Sequence, residues 1–244
     1  MSILPASADR VCRNLDCVRE RIGAAAARSG RTADAVRLVG VTKYASSELA
    51  GLLFGLGVYD LGESRPQELW SKAEALAVLH PTWHLIGHLQ SNKVRRTLQV
   101  RPLIHSADSL KILEIISREA QGLSLKSELL LEVNVSGDAT KHGFAPGEIE
   151  PLMPRIASLP NIAVVGLMTM AAREGDLDRA RREFAALREL RDRLTAVCPP
   201  EISLRELSMG MSGDYEVAIE EGATIVRVGS ALFEGGGLEN DHSP

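Results

Sequence analysis

Cysteine is scarce. Cys12, Cys17 and Cys198 are the three in 244 residues, an odd number with no CxxC spacing. That excludes a disulfide framework and points to free thiols in a reducing cytoplasm. Aromatic residues make up only 4% of the chain, and none interleaves with the basic cluster Lys93, Arg95 and Arg96. The cluster therefore reads as a solvated helix face, not a nucleic-acid groove. Neither sign of charge dominates: 28 Lys and Arg stand against 32 Asp and Glu, a net charge of −4. A general nucleic-acid binder is not expected. No apolar run approaches the roughly 20 residues that cross a bilayer. The opening MSILPASADR lacks the charged and apolar regions of a signal peptide. No linker or low-complexity stretch divides the chain, so one domain over residues 1–244 is expected, with an N-terminal helix over 1–30 and a flexible tail over 235–244.

What is present is a repeating alternation. Val11, Leu15, Val18, Ile22 and Ala25 recur at steps of four and three, one apolar helix stripe. Ser7 is a candidate cap at its start and Ser29-Gly30 a stop. The stretch RLVGVTKY (Arg37 to Tyr44) then reads as a buried strand. Strands follow at Val58–Glu63, Trp83–Gly87, Pro102–Ser106, Leu129–Val135, Ile162–Met170, Ser203–Met209 and Thr224–Ser230. Helices fall between them, among them Ser64–His80, where Ser64 and Gln67 have capping-box spacing, and the amphipathic run from Leu177 to Leu194. Eight strands alternating with helices imply a parallel sheet with right-handed crossovers. The count is that of a closed (β/α)8 TIM barrel near the small end of its size range, with a doubly wound open sheet as the alternative.

In such a barrel the chemistry sits on the loops after the strands. Lys43 ends the first strand. A lysine desolvated there becomes an amine able to attack a carbonyl and form a Schiff base, while the plain alternative is a lysine that snorkels to solvent. The loops after strands seven and eight are the usual phosphate corner. Here they read Ser208-Met209-Gly210-Met211-Ser212-Gly213-Asp214 and Val228-Gly229-Ser230-Ala231, small residues and hydroxyls ahead of helices. Ordinary turn and capping chemistry, with Ser212 or Asp214 as an N-cap, is the competing reading. An aldehyde-reactive lysine beside a phosphate cradle suggests pyridoxal 5′-phosphate (PLP). Arg227 shares strand-face parity with Gly229. Facing a pyridine nitrogen, it would force that nitrogen to accept and leave the ring a weak electron sink; alternatively it pairs with Glu206 or Glu63.

Other signals carry less. His84 and His88 form HxxxH, but four strand residues span about 13 Å, too far for one metal; a packing or polar role is expected for His84. Glu132 and Asn134 share a strand face and either line the site or bond across the barrel. Lys141 reads as a solvated lysine, with a second PLP-reactive amine as the alternative.

The motifs VGVTKY, WHLIGHLQSNK, NVSGDATKHG, GLMTM, LSMGMSGDYEVAI and VRVGSALF resemble the YggS/PROSC family of PLP homeostasis proteins. The resemblance covers roughly Leu38 to Phe233, and that family is similar in fold to the N-terminal barrel of alanine racemase. It implies PLP held as an internal aldimine on Lys43, phosphate bound by Ser212, Gly229 and Ser230 with Ser208 nearby, and Arg227 facing the pyridine nitrogen. Ser64 and His84 complete the candidate cofactor-binding set. Members often carry GEN where this chain has Gly62-Glu63-Ser64, so Ser64 stands where an asparagine contact is usual. The implied role is a non-catalytic carrier and regulator of PLP, monomeric, with PLP-dependent apo-enzymes as recipients. Only Ala231 to Pro244 follow the eighth strand, so the second base that racemisation needs is not expected. A weak racemase-like enzyme and a sugar-phosphate aldolase are the competing functions.

Overall fold

The computed structural model describes residues 5–138, 140–171 and 176–234. The tail expected over 235–244 lies outside them. Eight parallel strands close into a barrel in sequence order, and β1 (Arg37–Val41) pairs with β8 (Ile225–Val228) to seal it. Between them run β2 (Asp60–Glu63), β3 (Thr82–Leu85), β4 (Leu103–Ala107), β5 (Ser127–Glu132), β6 (Ile162–Met168) and β7 (Glu206–Ser208). The outer layer is α1 (Pro5–Arg28), α2 (Ser47–Gly55), α3 (Pro66–Ala75), α4 (Val94–Val100), α5 (Leu110–Gly122), α6 (Pro146–Ala157), α7 (Leu177–Val197), α8 (Tyr215–Glu220) and α9 (Ser230–Phe233).

Local chemistry explains most boundaries. Ser46, Ser109 and Asp176 accept from Leu49, Ile112 and Arg179 N–H and cap α2, α5 and α7. Gly30, at φ +70°, ends the turn after α1, as expected. Two capping expectations fail. Ser7 lies inside α1, which already runs from Pro5. Ser64 does not open α3; the helix begins at Pro66, because proline is pre-set for the first helical position and needs no donor there. Strands six and seven are shorter than expected, spanning Ile162–Met168 and Glu206–Ser208; just past β6 the Thr169 hydroxyl donates to the Val133 carbonyl.

The large core lies between strands and helices. The stripe Val11, Leu15, Val18, Ile22 and Ala25 of α1 is buried in it. Helix α1 packs along α8 and α9, and Asn14 donates to the Leu232 carbonyl at 3.1 Å. The interior of the barrel holds a smaller apolar cluster, including Val39, Leu130, Met168 and Ile225. It also holds a polar column that leads to the site. Among the described residues no helix is long and apolar enough to cross a membrane, and the three cysteines are free thiols.

Candidate functional site

A cavity of about 560 Å3 opens at the carboxyl ends of the strands. Lys43, Ser64, Ser212, Arg227, Gly229 and Ser230 all line it. Six of the eight expected site residues, from four separate stretches of chain, are thus brought to one rim. Parallel pairing does this: every strand ends at the same mouth, so residues just past β1, β2, β7 and β8 become neighbours.

Lys43 stands two residues beyond the end of β1 and is exposed, so the strand itself does not desolvate it. This corrects the expectation of a half-buried amine. The burial stops one residue earlier, at Thr42, which is fully buried. Among the described residues Lys43 pairs with no carboxylate; its ammonium lies 5.0 Å from the centre of the Tyr44 ring. Thr42 anchors the turn from behind. Its hydroxyl donates to Glu63 Oε1 at 2.5 Å, and its carbonyl accepts from the buried Lys72 ammonium at 2.6 Å. Lys72 also reaches Glu63 Oε1 at 2.7 Å. Burial pushes the Glu63 carboxyl above its ordinary range despite this cation.

The adjoining wall, beyond β7 and β8, is the expected anion corner. The Ser212 hydroxyl oxygen accepts from Gly229 N–H at 3.1 Å and Ala231 N–H at 3.3 Å, stitching the loop after β7 to the one after β8. The amide N–H groups of Ser212, Gly213 and Ser230 donate to no protein group among the described residues. Three free donors and two hydroxyls on adjoining turns suit an anion. Gly229 is small for a reason: a Cβ there would come within 3.2 Å of the Val41 side chain and carbonyl. Gly210, at φ +92°, makes the turn that starts the corner. Asp214 does not cap α8 in the expected way; its carboxylate accepts from Met211 N–H at 2.6 Å and closes the loop. Ser64 approaches Gly87 so closely that a Cβ on Gly87 would sit 2.2 Å from the Ser64 carbonyl oxygen.

Arg227 is buried in the cavity wall at 4% exposure. Neither expected carboxylate pairs with it: Glu63 belongs to Lys72, and Glu206 lies within 3.6 Å of Arg37 and Arg205. Instead Arg227 donates to Ser208 Oγ at 2.5 Å and to the Thr169 carbonyl at 3.0 Å. Burial lowers its pKa to about 10, with Asp214 and Glu132 opposing the fall, so it stays charged at neutral pH.

Two expected contacts are not on the cavity wall. Ser208 and His84 lie beneath it in the barrel interior, because their strand positions face the axis before the rim is reached. They belong to a column: Ser208 Oγ meets His105 Nδ1 at 2.8 Å, His105 Nε2 meets His84 Nδ1 at 2.9 Å, and His84 Nε2 meets Asp60 Oδ1 at 2.9 Å. Burial lowers the pKa of both imidazoles, His105 well below the ordinary range. Nothing in the local pattern marks His105 as a partner, since it sits in a largely apolar strand. Tyr44, Ile86, Met170, Met211 and Phe233 also line the cavity without having been singled out, although all five fall within the resembling motifs. Lys141 reaches the Met170 carbonyl at 3.1 Å on the rim. Glu132 points into the barrel with burial raising its pKa to about 7, helped by Asp108 and opposed by Arg227.

Comparison with known proteins agrees with this fold. The family model described as alanine racemase, N-terminal domain, matches residues 13–236. A protein of Aquifex aeolicus named pyridoxal phosphate homeostasis protein is 41% identical over 222 residues, covering 91% of this chain and 96% of its own. A crystal structure of an unknown protein from Bifidobacterium adolescentis superposes with a TM-score of 0.90 at 40% identity, over 95% of this chain and 98% of that one. PipY of Synechococcus elongatus, solved with PLP bound, superposes with a TM-score of 0.81 at 32% identity, over 91% of this chain and 99% of its own.

Proposed function

Because the chain belongs to the alanine racemase N-terminal domain family, beside the pyridoxal phosphate homeostasis proteins, we propose that it binds PLP on Lys43 and acts as a carrier and regulator of PLP supply. One observation carries the reading: a lysine amine with no carboxylate partner among the described residues and a corner of free N–H groups and hydroxyls line one cavity, with a buried arginine in its wall. PLP supplies an aldehyde, a phosphate and a ring nitrogen, and this wall offers a partner for each. Lys43 holds the aldehyde as a Schiff base. Ser212, Gly213, Gly229 and Ser230 enclose the phosphate. Arg227 has only donors to offer, so a ring nitrogen facing it must accept.

A carrier is favoured over an enzyme on two grounds. Lys43 is exposed at an open mouth, which suits loading and release to PLP-dependent apo-enzymes. Arg227 remains protonated and holds the ring nitrogen unprotonated, which weakens the electron sink on which amino-acid chemistry depends.

The test is titration of the full-length protein with PLP, followed by borohydride reduction and peptide mass spectrometry. A visible absorption band should appear with one equivalent of PLP, vanish in Lys43→Ala, and leave its reduced adduct on the Lys43 peptide. A chiral assay over a panel of amino acids should show no turnover. Labelling of Lys141 in place of Lys43, or no band at all, would overturn the attachment; turnover would overturn the carrier role.

A further inference from the structure

Beside the cavity, three loops of the same rim bring together His88, Asp108 and His142. His88 follows β3, Asp108 follows β4, and His142 lies between β5 and α6. His88 Nδ1 is 3.0 Å from Asp108 Oδ2, and His142 Nδ1 is 3.8 Å from the same oxygen. The two imidazoles stack with centres 4.5 Å apart at 16°. One nitrogen from each ring and one carboxylate oxygen all lie within 4.8 Å of one another. The Asp108 side chain is only 10% exposed, yet among the described residues no lysine or arginine pairs with it. Ser109 donates to its other oxygen at 3.1 Å.

We propose that these three residues form a site for a divalent transition cation of the zinc type. Two imidazole nitrogens and a carboxylate oxygen are borderline donors that suit such an ion. Zinc holds nitrogen and oxygen ligands at about 2.0–2.2 Å, so its ligand atoms sit roughly 3.3–3.5 Å apart in a tetrahedral shell. The His88–Asp108 pair is already slightly inside that spacing. The triangle closes by rotation of the His142 side chain, which is 64% exposed and free to move. Three protein ligands leave a fourth position for water.

Strand spacing keeps His84 and His88 from sharing one metal, but it leaves His88 open to ligands from other loops. The loops supply what the strand spacing denied. The ion would tie the connections after β3, β4 and β5 to each other. Ser106 donates to the Gly87 carbonyl at 2.7 Å, and Gly87 lines the cavity next to His88. An occupied site therefore braces the rim of the cavity without entering it.

The experiment uses full-length protein free of any histidine tag, with and without PLP. Zn2+ is titrated by calorimetry and Co2+ by visible absorption. One equivalent of Co2+ should give ligand-field bands that Zn2+ displaces, and Zn2+ should raise the melting temperature. His88→Ala and His142→Ala should each weaken binding at least about tenfold, with the fold and the Lys43–PLP band unchanged. A triple Cys12→Ser, Cys17→Ser, Cys198→Ser variant should bind as the wild type does. No uptake by the wild type, equal uptake by the His88→Ala/His142→Ala double variant, or loss of uptake in the cysteine-free protein would overturn the site. PLP binding is read separately, so failure here leaves the Lys43 reading standing.

Discussion

Arg227 donates to the Ser208 hydroxyl across 2.5 Å, at the head of a buried column whose far end is the Asp60 carboxylate. A carboxylate can only accept, so with both imidazoles neutral the chain runs one way, and the Ser208 hydroxyl accepts from the guanidinium and donates to His105 Nδ1. His105 then donates from Nε2 to His84 Nδ1, and His84 donates from Nε2 to the Asp60 carboxylate. Both imidazoles are neutral in this arrangement, consistent with their lowered pKa values. Ser208→Ala removes the acceptor of Arg227 and the donor to His105, both buried. We expect a loss of about 2 kcal/mol in urea unfolding and weaker PLP retention as Arg227 loses its tether. An unchanged midpoint and unchanged PLP affinity would show that the column does not hold the arginine.

Lys72 supports Lys43 from behind. Lys72→Met leaves Glu63 buried without its cation, which typically costs about 3–5 kcal/mol. It also frees the Thr42 carbonyl on the turn that presents Lys43. Denaturant unfolding should show the loss, and the double variant Glu63→Met/Lys72→Met should recover most of it. A double variant no more stable than Lys72→Met would mean that the pair is not the cause.

Ser212 joins two loops through one oxygen. Ser212→Ala strands the N–H groups of Gly229 and Ala231, which are half-buried, at a cost of about 1 kcal/mol. The larger effect should fall on PLP, whose affinity drops while Lys43 still reacts with unphosphorylated pyridoxal. Fluorescence titration with both compounds separates the phosphate corner from the lysine; equal losses for the two would argue against that division.

Glu132 makes stability depend on pH. Its folded pKa of about 7 lies above its ordinary 4.5, so the folded protein holds the proton longer. The contribution is complete below about 4.5 and is lost as pH rises through 7. The difference corresponds to about 3 kcal/mol. Between pH 5 and 8, with chelator present, wild type should lose this stability and Glu132→Gln should not. Parallel profiles for the two proteins would refute the assignment.

The alternation of apolar runs with helical stripes was enough to count eight strands, and the loops after the first, seventh and eighth could be marked as chemical from their residue types. The α1 stripe from Val11 to Ala25 is buried as its period demands. Boundaries were less legible. The regular part of β6 stops at Met168, two residues short of the expected end, and Ser64 gives way to Pro66, because tertiary contacts and proline outrank local spacing. Ser208 is a candidate contact through the family resemblance alone, and His84 has a packing or polar role as its main reading; neither motif nor parity shows how deep a residue lies along the barrel axis.

Composition, period and motif therefore determined the barrel, its family and the residues that approach its mouth, since side-chain pattern follows directly from strand and helix geometry. Closure of β1 on β8 decided the rest. That closure brings Lys43 and Ser212 to one cavity and sets Ser208 and Arg227 against His105, while the adjacency of β3, β4 and β5 gathers His88, Asp108 and His142 from three loops. Such meetings depend on register and depth in three dimensions, quantities that no local run of residues encodes.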